Sequence, residues 1–128
     1  ERLLLMGDIY APTRIPNFPE NTQLEVPLWI TNLNDFLSAE YDIRHIISGH
    51  TYSDMTIEDW KDRRDYVETL WNGVKAAYKE GLTLEEIQTR FALEKSFPKF
   101  MNVKHEWGGK NIHEHNVKMI WMQLTEKK

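Results

Sequence analysis

Cysteine is absent from this chain of 128 residues. That excludes disulfide staples and thiolate zinc sites, in whatever compartment the protein works. Long apolar runs are missing too, and nothing approaches the roughly 18 residues of a membrane span. There is no basic stripe. Lys and Arg number 16 against 20 Asp and Glu, a formal charge of −4, so nucleic acid is a poor partner. No Gly-rich phosphate loop occurs, nor a Ser/His/Asp order suited to a nucleophile triad. What is present is bulk. Five each of Trp, Tyr and Phe, within 41% hydrophobic residues, are enough for the core of one soluble globular domain.

The chain enters an apolar run by Leu3, directly after Glu1-Arg2. Domains seldom start in mid-strand, so the sequence reads as a fragment of a longer protein. Leu3–Met6 suits a strand buried on both faces, stopped by Gly7, with Asp8 just past its end. Pro12, Pro16 and Pro19 exclude helix and central strand from Ile9–Gln23, leaving a long ordered loop. Tyr10, Ile15 and Phe18 are expected to anchor this loop to the core, with the wall of a site as the alternative. Pro27 marks a helix start, and Trp29, Leu33, Phe36 and Leu37 share one face of a helix reaching about Ala39. Tyr41-Asp42 turns into a second strand, Ile43–Ile47, which stops at Ser48-Gly49-His50-Thr51. Strand, loop, helix and strand in this order suit a parallel crossover.

A helical segment follows. Thr56 with Asp59 resembles a capping box, and Val67, Leu70, Trp71, Val74, Ala77 and Tyr78 form an apolar stripe that Gly81 ends. The charged segment 61–65 is expected to be solvated. Thr83 and Glu86 cap a second helix with Leu84, Ile87 and Phe91 on one face, broken at Phe97-Pro98. Gly108-Gly109 is a flexible turn. Asn111 and Glu114 open a last helix lined by Val117, Ile120, Trp121 and Leu124. The unit thus divides into a strand and helix part, 1–54, and a helical tail, 55–128. Two strands with one crossover are poorly stable alone, so further strands are expected from upstream sequence, a second chain or a swapped copy.

Asp8 and His50 each follow a strand and a glycine. Singly, each reads as an ordinary turn residue. Together they sit where parallel α/β sheets gather their sites, outside the carboxyl ends of strands. A carboxylate and a neutral imidazole are both good zinc ligands, but two donors do not close a tetrahedral site. Thr51, Tyr52 or Ser53 could orient a ligand from behind. His113-Glu114-His115 reads as a polar helix start, since positions i and i+2 of a helix point apart. His45 reads as a core or edge residue, and nothing singles out His105.

The pattern Leu3-Leu4-Leu5-Met6-Gly7-Asp8, with Ile46-Ile47-Ser48-Gly49-His50-Thr51 later in the chain, resembles the C-terminal half of the metallo-β-lactamase fold superfamily. The long helix, the segment Gly81–Ile87 and the final helix near Asn116-Val117 are similar to the helical tails of its hydrolase members. The resemblance implies half of an α/β, αββα sandwich with a long helical tail. It implies that Asp8 bridges two zinc ions, that His50 ligates one, and that a metal-bound hydroxide attacks a small-molecule lactam, lactone, thioester or other ester. The family's His-x-His-x-Asp-His motif is missing, and the five histidines, 45, 50, 105, 113 and 115, include no substitute. The isolated chain is therefore expected to be inactive and to need its missing N-terminal half or a second chain. The alternatives are an inert or strand-swapped oligomeric fragment, or a helical interaction module using exposed aromatics.

Overall fold

The computed structural model describes residues 3–7, 14–20, 25–38, 41–49, 55–103 and 105–126. Strand β1 (Leu3–Gly7) and strand β2 (His45–Ser48) form a parallel pair. Leu3 faces His45, Leu4 faces Ile46, Leu5 faces Ile47 and Gly7 faces Ser48, with an irregularity between Leu5 and Gly7. Helix α1 (Val26–Phe36) lies between the two strands in the chain, as the crossover requires. Pro27 sits in its first turn. The helix stops short of Ala39 because its end tightens: Leu37 N–H donates to Asn34 O at 3.1 Å and Ser38 N–H to Asp35 O at 3.0 Å.

The strands are not buried on both faces. Along β2 the pattern alternates, with Ile46 and Ser48 buried and His45 and Ile47 exposed. On the same open side Leu3 is 49% and Leu5 70% exposed. Period-2 geometry forces this outcome once packing covers only one side of the pair. His45 is accordingly an exposed strand residue rather than a core one.

Helix α2 (Ile57–Lys79) is the centre of the core and packs against α1 on one side. Its N-terminus is a full capping box: Asp59 N–H donates to Thr56 Oγ1, and Thr56 N–H to the Asp59 carboxylate, both at 3.0 Å. The buried stripe is wider than the apolar periodicity, because Trp60, Arg63 and Tyr66 join Val67, Leu70, Trp71, Val74 and Ala77. Arg63 corrects the expectation of a solvated segment at 61–65. It is 3% exposed, three residues after Trp60 and on the same helical line. Its guanidinium donates to Asp59 O at 3.2 Å, pairs with the Asp59 carboxylate at 3.7 Å and lies over the Phe100 ring at 5.6 Å. Those contacts offset the cost of burying a charge.

Gly81, at φ +85°, closes α2. Leu82 N–H reaches back to Ala77 O at 3.2 Å and Gly81 N–H to Tyr78 O at 3.0 Å, a Schellman arrangement. Helix α3 (Leu84–Arg90) starts from the Thr83–Glu86 capping box. It breaks at Phe91 rather than Phe97, and a short helix α4 (Leu93–Ser96) and a 3-10 turn (Pro98–Asn102) follow. Phe91 leaves helical geometry, at ψ +28°, with its carbonyl taken by His113. Gly73 allows the Phe91 ring onto α2, since a Cβ there would lie 2.4 Å from a ring carbon.

The expected flexible turn at Gly108-Gly109 is the tip of a hairpin between β3 (Glu106–Trp107) and β4 (Lys110–Asn111). Both glycines have positive φ, +58° and +77°, as a two-residue hairpin turn demands. Helix α5 (Ile112–Glu126) then packs on α2 and α3. The Asn111 side-chain Oδ1 accepts His113 N–H at 3.0 Å and Glu114 N–H at 3.2 Å, so the weak start signal is a working cap. The fold is mixed α/β and mostly helical, with five helices among the described residues.

Candidate functional site

Two places in the fold concentrate chemistry. The first is the carboxyl edge of the parallel pair. Gly7 and Ser48 are partners in register, so β1 and β2 end side by side and point the same way. Asp8 follows Gly7, and His50 follows Ser48 and Gly49. Both candidate ligands lie outside the described residues, as do Tyr10, Thr51, Tyr52 and Ser53. The backbone leading to them is described, and it brings the two chain exits to one edge. Met55 forms an antiparallel bridge with β2, its N–H donating to Ile46 O at 2.8 Å.

In the sequence Gly7 precedes Asp8 and Gly49 precedes His50. Among the described residues no three His, Cys, Asp or Glu side chains group closely enough to hold a metal ion. No helix there is long and apolar enough to cross a membrane.

The second place is a buried polar cluster joining the 14–20 loop to α5 and α2. Asn116, fully buried on α5, is at its centre. Its Oδ1 accepts Phe18 N–H at 3.0 Å. Its Nδ2 donates to Pro16 O at 2.6 Å and to Tyr66 Oη at 3.1 Å. Tyr66 Oη lies 2.9 Å from His113 Nδ1, and His113 Nε2 lies 2.5 Å from Phe91 O. The Phe91 carbonyl can only accept, so His113 carries its proton on Nε2 and its Nδ1 accepts from the tyrosine. One chain of donors thus runs Asn116, Tyr66, His113, Phe91. Burial lowers the His113 pKa below the ordinary imidazole value, opposed by the Phe91 carbonyl and by Glu114 and Glu94. Burial likewise pushes the Tyr66 phenol well above its usual range.

His115 lies beside this cluster, its Nε2 2.8 Å from Phe18 O. The His113-Glu114-His115 segment is therefore not simply a polar helix start. The two imidazoles do point apart, as helical spacing requires, but each reaches a main-chain carbonyl, and His113 is part of the core. His105 Nδ1 sits 3.1 Å from Val103 O. Ile15 and Phe18 are fully buried, so the loop is anchored as expected, and Phe18 meets the Trp29 ring edge-on at 5.5 Å. Ion pairing of Lys110 with Glu20 and stacking of Arg14 on Trp107 tie the same loop to the hairpin. Between loop and hairpin lies a cleft of about 400 Å³ bordered by Phe18, Trp107 and His115.

Asn116 and Tyr66 were not singled out from the sequence. The available signal was polar residues at core spacing: His113, Asn116 and Gln123 fall on the line of Ile120. No protein-family model matches this chain, and neither the curated proteins nor the solved structures include a match to it.

Proposed function

We propose that this chain is the C-terminal part of a zinc-dependent hydrolase of the metallo-β-lactamase fold, with Asp8 and His50 among its metal ligands. The observation that carries the reading is the register of the parallel pair, in which Gly7 lies opposite Ser48. The two strands thereby end at one edge, the usual location of sites in parallel α/β sheets. Asp8 would contribute a carboxylate oxygen and His50 an imidazole nitrogen. The remaining donors would come from a His-x-His-x-Asp-His segment that this sequence does not contain. Zinc, if held there, would supply a water ionised near neutral pH and a Lewis acid for a carbonyl or phosphoryl oxygen. The chain's own part would be to carry two ligands, one after each strand of the pair. The substrate class is a small lactam, lactone, thioester or other ester.

Metal content tests this directly. In the protein with its natural flanking sequence, the Asp8→Ala/His50→Ala double variant loses bound zinc by elemental analysis. Full retention of zinc in that variant would remove both residues from the ligand set.

A second reading is favoured by the open face of the pair, where Leu3, Leu5 and Ile47 are exposed. An apolar, two-stranded sheet of this kind invites strand pairing between copies. Sedimentation of the chain alone separates the two: the oligomeric reading requires a dimer or larger species whose assembly does not depend on Asp8, His50 or zinc.

A further inference from the structure

The hydrogen-bond chain through the core has a direction, and each member already has its roles filled. Phe91 O can only accept, so His113 Nε2 donates to it and His113 Nδ1 takes the Tyr66 O–H. Tyr66 Oη in turn accepts from Asn116 Nδ2, which also donates to Pro16 O. Asn116 Oδ1 accepts Phe18 N–H. The loop fixes the way this amide faces, because Pro16 O needs a donor and Phe18 N–H an acceptor. Among the described residues Tyr66 Oη has only His113 and Asn116 as partners.

A proton on His113 Nδ1 conflicts with that direction. Nδ1–H then points at Tyr66 Oη, and the phenol must turn its own proton elsewhere. Its other neighbour is the Asn116 amide, which presents a donor. Half a turn of that amide gives the phenol an acceptor. It also sets oxygen against Pro16 O and N–H against Phe18 N–H, so both bonds to the loop are lost. Without the turn, a buried phenol proton stays unmet, which is costly in itself. The Asn116 side chain is thus a two-state element that holds the loop in one state only.

The surrounding charges leave this role to His113. The ring is buried against Tyr66 of α2, with the Phe97 ring centred 5.6 Å away. Glu85 of α3, Glu94 and Lys95 of α4 and Glu114 of α5 border the cleft beside it. Burial opposes the charged imidazole, whereas Phe91 O, Glu114 and Glu94 favour it. On the loop side, His115 donates Nε2–H to Phe18 O whether its ring is neutral or charged. Glu20 is held below the usual carboxylate range by Lys110, so that pair persists in mild acid.

We propose that His113, Tyr66 and Asn116 form an acid-operated latch on the 14–20 loop: a proton taken by His113 Nδ1 reverses the Tyr66 O–H and turns the Asn116 amide, which releases Pro16 O and Phe18 N–H. The loop is one wall of the cleft of about 400 Å³ that faces the hairpin. Mild acid therefore loosens that wall while the helical core holds.

Amide hydrogen exchange of the full chain between pH 7.5 and pH 5, corrected for the intrinsic pH dependence of exchange, tests the latch. The Phe18 amide reports the loop, and the Leu70 amide inside α2 reports global opening. In wild type the Phe18 amide should lose about tenfold more protection than Leu70 over this range. Tyr66→Phe cuts the relay and His113→Gln removes the titrating ring. In each, the difference between the two amides should no longer depend on pH. His115→Ala and Glu20→Gln should keep the dependence. Equal losses at Phe18 and Leu70 in wild type, unchanged protection at Phe18, or a dependence that survives His113→Gln would overturn the latch. Should a core variant fail to fold, wild type and the two surface variants decide: a dependence lost in His115→Ala or Glu20→Gln places the sensor there and overturns the role of His113.

Discussion

The strand pair and the helical segment solve the burial problem to different degrees. Along α2 and α5 the large side chains are enclosed: Trp60, Tyr66, Leu70, Val74, Val117 and Ile120 are all inaccessible or nearly so. The polar groups buried with them are mostly answered, through Asn116, Tyr66 and His113. In the strand pair only one face is enclosed, and Leu3, Leu5 and Ile47 stay exposed. The contrast teaches that stability in this chain is built by the helices, whereas the strands add little core and serve as the base of an edge. It also fits the proposal that the sheet continues in sequence or a partner beyond these residues.

Substitutions can break this contrast or sharpen it. The largest effect is expected at Leu70, fully buried on α2: Leu70→Ala should cost about 3 kcal/mol in urea unfolding through the cavity it leaves. A loss no larger than at an exposed strand position would dissolve the comparison. Acid comes next, because it strikes the polar chain within the helical core. The folded pKa of His113 lies below its ordinary value, so the folded state resists a proton that the unfolded chain accepts. Its contribution is complete above the unfolded value of about 6.5 and declines as pH falls through it, until the folded imidazole protonates too. Unfolding measured between pH 7.5 and pH 5 should show stability falling over that window, with the slope reduced in His113→Gln.

The α3 cap gives a smaller change. Thr83→Ala removes the acceptor for Glu86 N–H and should cost about 1 kcal/mol. The smallest effect belongs to the strand pair. Leu5→Ala, at a position 70% exposed, should stay within about 0.5 kcal/mol of wild type. A cost of several kcal/mol there would mean that the open face is covered in solution.

Much of the architecture was legible because it depends on local signals. Thr56 with Asp59 and Thr83 with Glu86 state their caps in four residues, and the glycine at 81 states its stop. The parallel pairing of two apolar runs could be reached from their order around a helix. The misses share one cause, a partner distant in sequence. Arg63 reads as solvated until Phe100 covers it. Phe91 reads as helical until His113 takes its carbonyl. Leu5 reads as doubly buried until only one face of the pair is covered.

For the site, sequence alone supplied the identities of Asp8 and His50, their places after two glycines, and a resemblance that implies zinc-ligand roles for them. Glycine, β-branched runs and donor chemistry are properties of short stretches, so reading them required no fold. The tertiary structure decided that the two strands are hydrogen-bonded neighbours ending at one edge. It also decided that the 14–20 loop is held by Asn116, whose bonds to Pro16 and Phe18 span about a hundred residues. Hydrogen bonds have direction and short range, so which distant groups meet is settled only when the packed helices bring them within 3 Å of each other.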